Sequence, residues 1–320
     1  MGQQYIRKVV ATINDVEISS DGDNGLRIVF GTRQGLSSTP HHANIIITNP
    51  APSTIVAMRK EKAKVTLRAG YRDGGAGLIF EGELLQLRNG RENVSDTYAH
   101  AIATSGENGR NYATVNKALA AGHTYKDRID TGMAAFGKLG LKPGFIDNLP
   151  TRKFPRNYVA HSMAHDLFRE TCQAVGASWW IQGDRVNVLR AQNTIPGNTH
   201  VINADTGMVG LPEQTIEGII VRTLLNYDIY PGSAIKLNNA SIQQAALSPS
   251  TGAGANNEDY IGSGRLAIGG DGTYKVWRVE HEGDTRGQQY FTTLTCTLKE
   301  RPQALGDLML PSDVDQAGVQ

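Results

Sequence analysis

Aromatic residues are scarce in this 320-residue chain, at 7%, and there are only two cysteines, Cys172 and Cys296. Two thiols without CxxC or metal-ligand spacing exclude a disulfide-stapled scaffold and read as buried, small apolar side chains. Long apolar runs are missing as well. Unbroken aliphatic stretches, such as Ile45-Ile46-Ile47, are a few residues long, against the roughly 20 residues that a membrane-spanning helix needs. The opening Met1-Gly2-Gln3-Gln4-Tyr5-Ile6 has neither the apolar core of a secretory signal nor the Ser/Thr of a myristoylation motif, so synthesis in the cytosol is expected. The sequons Asn93-Val94-Ser95 and Asn239-Ala240-Ser241 then read as chance.

Net charge is also nearly absent, at +1, but it conceals two unlike halves. Residues 1–160 carry 21 basic and 14 acidic side chains, and residues 161–320 carry 11 and 17. Such a division can orient partners or subunits through complementary fields and says nothing about fold.

What is present is strand pattern punctuated by 36 glycines. Early strands are predicted at Ile6–Ile18, Leu26–Phe30 and Ala43–Thr48, the last bounded by Pro40 and Pro50. From Ala57 to Tyr71 apolar residues alternate with Lys60, Lys62, Lys64, Thr66 and Arg68, which predicts a half-buried strand with a cationic face. The turn residues Arg72-Asp73-Gly74-Gly75 join it to a strand at Leu78–Leu84. Gly70 and Gly82 mark bulges or close backbone approaches.

In the middle of the chain the period changes. Thr124 caps a predicted helix near 124–139 with Asp127 in its first turn and Gly140 at its end. A second helix is predicted from Ser162 to Val175, followed by a hairpin over 178–189 that turns at Gly183-Asp184. Strands return at Gly218–Arg222, Ala234–Leu237, Tyr274–Glu280 and Tyr290–Leu298, with Leu294, Cys296 and Leu298 on one face. A long connection, Asn238–Gly272, separates the second and third of these, and Pro311–Gln320 reads as a mobile polar tail. The pattern divides the chain into a first β-barrel (1–94), a mixed α/β region (95–200), a second β-barrel (201–303) and a tail (304–320).

Chemistry-bearing motifs are few. His161 and His165, four apart beside Asp166, have the spacing of two ligands on one helical face, but no third ligand accompanies them. His41-His42 is a weaker candidate. Gly252-Ala253-Gly254 and Gly262-Ser263-Gly264 precede no helix, so they lack the context of a phosphate cradle. No GxSxG nucleophile elbow and no marked carboxylate pair occurs, and no catalytic, cofactor or metal residue is assigned. The cationic face of Lys60, Lys62, Lys64 and Arg68 could follow a phosphate backbone, or protect a strand edge from aggregation.

Four stretches together resemble a known family, the baseplate hub proteins of contractile-tailed bacteriophages, related to the late control protein D group. They are Ala43–Pro50 with Val65–Tyr71 and Ile79–Gly82; Gly122-His123-Thr124; Gly176–Ile181; and Gly218–Asn226 with Pro231-Gly232, Tyr274–Val276 and His281–Gly287. The resemblance spans roughly residues 5–300. It implies two tail-tube-like β-barrels joined by a small α/β domain. It further implies a homotrimer that adapts a threefold spike to a sixfold tail tube, with spike, tube, tape-measure and other baseplate proteins as partners. The location would be the virion tail, assembled in the host cytoplasm, and the role structural, with no reaction and no cofactor. A nucleic-acid-binding barrel and a cell-wall-degrading tail enzyme stand as alternatives.

Overall fold

The computed structural model describes residues 6–22, 25–197, 199–215, 218–238, 242–244 and 272–298. The long connection and the polar tail expected above fall almost wholly outside them, as do both glycine-rich motifs and the Asn239 sequon.

The chain is mainly β. Its first part contains β1 (Arg7–Ile13), β2 (Val16–Ser19), β3 (Ile28–Gly35), β4 (His42–Thr48), α1 (Pro52–Met58), β5 (Lys64–Tyr71), β6 (Gly75–Arg91) and β7 (Thr97–Thr104). These strands hydrogen-bond in the order β3-β4-β7-β6-β5-β1-β2. Alternate side chains, such as Ile45 and Ile47, Val65 and Leu67, and Ala99, Ala101 and Ala103, are fully buried in one cluster. Period-two burial of this kind drives the sheet to wrap its apolar face around a core. β7, which the sequence pattern places in the middle region, completes this sheet by pairing with β4 and β6.

Two predicted strands are corrected. The stretch Ile6–Ile18 is not one strand: Asn14 and Asp15 both take positive φ, 49° and 63°, and fold β1 back onto β2. That is the backbone of a type I′ hairpin turn, which Asn and Asp tolerate. The stretch Ala57–Tyr71 is likewise broken. Pro52 opens the short helix α1, Lys62 turns the chain at φ 55°, and the strand begins only at Lys64. Gly70 and Gly82 do mark close approaches, because a Cβ at either would collide with backbone of Gly75 or Thr104.

The middle part contains α2 (Glu107–Tyr112), β8 (Thr114–Leu119), α3 (Tyr125–Gly137), β9 (Lys142–Ile146), β10 (Tyr158–Met163), α4 (Ala164–Ala174), β11 (Ala177–Gln182) and β12 (Arg185–Arg190). β8 and β10 form a two-stranded ribbon, and β11-β12-β9 a three-stranded sheet. Thr124 caps α3 through a reciprocal pair with Asp127. α3 and α4 pack through Phe136 and Phe168, with ring centroids 5.2 Å apart. The second helix starts two residues later than predicted, since His161 and Ser162 belong to β10 and pair with β8. The β11–β12 hairpin turns at Gly183-Asp184 with Gly183 at φ 60°.

The last part contains β13 (His200–Val201), β14 (Glu213–Thr215), β15 (Gly218–Leu224), β16 (Ala234–Lys236), β17 (Gln243–Gln244), β18 (Thr273–Asp284) and β19 (Tyr290–Leu298). Val221, Ile235, Val276, Leu294 and Cys296 are fully buried in its cluster, and both cysteines are free and buried. β18 runs four residues beyond the predicted Glu280. Those added residues pair with β3, and a single fourteen-stranded sheet therefore runs through both β regions.

Candidate functional site at the seam of the sheet

Side chains from both β regions bond across the join between them. β18 lies antiparallel to β3 with a register running from Arg278 opposite Gly35 to Asp284 opposite Val29. A ladder alone can slip by two residues without exposing its apolar face, so side chains must fix its register. Tyr290, at the start of β19, does so from the inside. Its hydroxyl lies 2.6 Å from the Gly70 carbonyl and 3.2 Å from that of Lys8, and it accepts the Gly70 amide at 3.0 Å. The ring meets Phe30 and Tyr71 edge-on, at centroid separations of 6.1 and 5.5 Å. Tyr290 thus belongs to the core of the first β region, although the chain supplies it from the second. Burial pushes its hydroxyl pKa up, which keeps it a donor.

Arginines close the seam from outside. Arg27 grips Asp284 in a two-point contact, Nε to Oδ1 at 3.1 Å and Nη2 to Oδ2 at 2.7 Å. The same carboxylate accepts the Arg286 amide at 2.9 Å. The Arg27 guanidinium holds Asp284 below the ordinary carboxylate range, and Asp284 raises Arg27 in turn. Arg7 reaches into the following loop and donates to the carbonyls of Asp284 (2.7 Å), Gly287 (2.5 Å) and Gln288 (3.1 Å), with its guanidinium 5.0 Å from the Tyr290 ring centroid. Arg33 on β3 meets Glu280 on β18 at 3.0 Å. Part of the charge difference between the two halves of the chain is therefore spent within the chain, at this joint.

The middle region docks beside the seam. Leu36, Trp180, Leu189 and Trp277, drawn from all three parts, form a separate buried cluster. Lys275 is 2% exposed and donates from Nζ to the carbonyls of Arg190 and Ala191 at 3.1 and 3.4 Å. Burial pushes its ammonium down to about 8. A cavity of about 350 Å³ at this junction is lined by Gln34, His41, Phe145, Tyr227 and His281. Burial pushes both histidines down to about 4, so they are neutral at physiological pH. His41, just before β4, bonds the end of β3, with Nε2 2.9 Å from the Gly35 carbonyl, and His281 Nδ1 lies 2.9 Å from Thr292 Oγ1. Each of these bonds is internal to the chain.

The residues singled out from sequence chemistry are dispersed. His161 is exposed on β10, whereas His165 on α4 contacts the Arg110 carbonyl through Nδ1 at 2.9 Å. The strand-to-helix boundary between them denies them a common helical face. Among the described residues, no three His, Cys, Asp or Glu side chains are placed to hold a metal. The cationic set is divided too. Lys60 and Lys62 precede β5, Lys62 lies over the Tyr112 ring at 4.8 Å, and Lys64 pairs with Glu81 at 2.5 Å. Of the four cations, only Lys64 and Arg68 lie on the outward face of β5. Of the seam residues, the sequence marked Gly70 as a close approach, and the resemblance carried Val65–Tyr71 and His281–Gly287. Arg7, Arg27 and Tyr290 gave no signal, since their partners are 220 or more residues away.

No protein-family model and no curated protein matches the chain. Solved structures do. The 43 kDa tail protein of prophage MuSo2 from Shewanella oneidensis superposes with a TM-score of 0.58 at 8% identity, over 92% of this chain and 97% of that one. The tail protein from Neisseria meningitidis MC58 gives 0.55 at 8% identity, over 91% and 96%. The E. coli c3393 protein, described as a component of the type VI secretion system with structural similarity to the T4 bacteriophage tail proteins gp27 and gp5, gives 0.52 at 11% identity, over 87% and 76%. The chain has the fold of these tail proteins.

Proposed function

We propose that this protein is the structural hub of a contractile phage baseplate, a homotrimer that joins the central spike to the hexameric tail tube. The observation that carries the reading is the single sheet through two β regions. One chain then offers two tube-like units in a fixed relation, and three chains offer six, which is what a threefold-to-sixfold adaptor requires. The fold shared with phage tail proteins and a type VI secretion component supports the same reading. The domain division that goes with it is a first tube-like barrel extended through β7 to Thr104, a mixed domain to about residue 200, and a second barrel from there. The proposed partners are spike, tube and tape-measure proteins, the place is the virion tail, and the role is load transfer with no reaction assigned.

The residual charge difference between the halves would favour contacts of the first β region of one copy with the second of the next. The test is native mass and electron microscopy of the purified chain across a salt series. A trimer with threefold symmetry and six peripheral densities is expected, loosening as salt rises. A chain that stays monomeric at high concentration overturns the hub, and a trimer indifferent to salt up to ~1 M, where screening reaches about 3 Å, overturns the electrostatic contact alone.

A further inference from the structure

The connection from Asp147 to Asn157, between β9 and β10, has no regular secondary structure and yet is fastened at both ends. At the start, the Asp147 carboxylate accepts the Arg190 amide at 3.0 Å and Asn193 Nδ2 at 2.7 Å. Further along, Phe154 is the anchor. Its amide donates to the His123 carbonyl at 2.9 Å, and its own carbonyl accepts the Gly122 amide at 2.7 Å. Its ring stacks on His123 (4.9 Å, 16°) and takes Tyr125 edge-on at 4.9 Å. The Arg128 guanidinium lies 4.2 Å from the centroid of Phe154 and 4.0 Å from that of Tyr158. Loops fixed in this way present side chains with little ordering cost on binding.

What the loop presents is positive charge. Arg152, Lys153 and Arg156 flank the anchor, all three exposed, and none has an ion-pair partner among the described residues. We propose that this anchored basic loop is a docking surface for an acidic segment of a partner protein. Charge complementarity selects the sign of the partner. The inward-turned ring selects its class: sequence-tolerant nucleic-acid binding combines cations with exposed aromatic platforms, whereas Phe154 is held by His123, Tyr125 and Arg128. The surface does not depend on the trimer, and its test does not read oligomeric state.

The probe is a fluorescein-labelled deca-glutamate peptide, titrated with the full chain by anisotropy at low and physiological salt, with a 20-nucleotide single strand and a duplex as competitors. The triple variant R152Q/K153Q/R156Q is expected to weaken peptide binding tenfold or more. The charge-matched triple K60Q/R91Q/K138Q, on other exposed sites, should leave it within twofold. Phe154→Ala keeps the three cations and removes their anchor, so a several-fold loss restored by Phe154→Tyr is expected. Because the loop triple is wholly exposed, it keeps the test valid where Phe154→Ala fails to fold. Peptide affinity unchanged in the loop triple, peptide binding lost equally in both triples, no peptide binding by the unmodified chain, or DNA bound as tightly as the peptide would each overturn the proposal.

Discussion

The Tyr290 hydroxyl lies 2.6 Å from the carbonyl of Gly70, a residue 220 positions earlier in the chain. Gly70 also sits where β5 turns toward β6, and a Cβ there would strike the Gly75 carbonyl. A residue from the second β region is thereby built into the core of the first.

Tyr290→Phe keeps the ring and removes the hydroxyl, leaving the Gly70 amide without its acceptor. A loss of about 1–3 kcal/mol is expected for an unsatisfied buried group. Tyr290→Ala also empties the space between Phe30 and Tyr71, for a loss of about 3–5 kcal/mol. Urea unfolding of both variants measures this, and equal midpoints for Tyr290→Phe and the parent would refute it.

Asp284 is held below its unfolded value of 3.8 by Arg27. A carboxylate depressed in the folded state contributes stability that is present above that value and fades as pH falls through the folded one. Asp284→Asn is expected to cost about 1–2 kcal/mol at pH 7, an estimate reduced because the Arg27 side chain is 41% exposed. The gap between parent and variant should narrow below pH 3.8. A gap that stays constant from pH 7 to 3 would count against the pair.

His41 and His281 give a separate acid response. Each is lowered from 6.5 to about 4 by burial, so between those values the unfolded chain binds the proton and the folded chain does not. Stability should therefore decline as pH falls from 6.5 toward 4, and this contribution should level off below. His281→Gln is expected to flatten that slope, read from thermal melts in the same pH series. A slope identical to the parent's would show that His281 is not titrating this way.

Gly82→Ala forces a methyl into the Thr104 carbonyl on β7. The obstacle is backbone, which cannot rotate aside, so a loss of about 1–3 kcal/mol is expected. Gly31→Ala meets nothing within 4 Å and serves as the control. Similar melting temperatures for the two variants would contradict the close approach.

Local pattern was legible where the physics is local. The reciprocal cap of Thr124 and Asp127, the Gly183 turn and the period-two burial of β4 and β5 are written in neighbouring residues. α1 was not, because Thr54, Ile55 and Val56 are β-branched and favour strands, so Lys60 and Lys62 were assigned to a strand face that begins only at Lys64. The Asn14-Asp15 turn was missed inside an alternation that continues on both sides of it. The seam was hidden for a different reason. Arg27 and Asp284 each look like ordinary surface charges, and only the tertiary pairing of β3 with β18 brings them together. The basic loop at Arg152–Arg156 was not singled out, because its anchoring by Phe154 depends on His123, Tyr125 and Arg128, which lie some thirty residues earlier.

The seam also imposes an order of events. Arg27 and Asp284 are 257 residues apart, and the ladder beside them cannot form until the last strands have left the ribosome. At synthesis rates of about 5–20 residues per second, the edge of β3 stands open for roughly ten seconds or longer on every nascent chain. Pairing at such separations is slow to find. The first region is therefore sealed last, by the chain's own late strands, and a truncated product leaves an unpaired edge ready to capture a neighbour. Emergence of β18 and β19 acts as the licence for correct partnering.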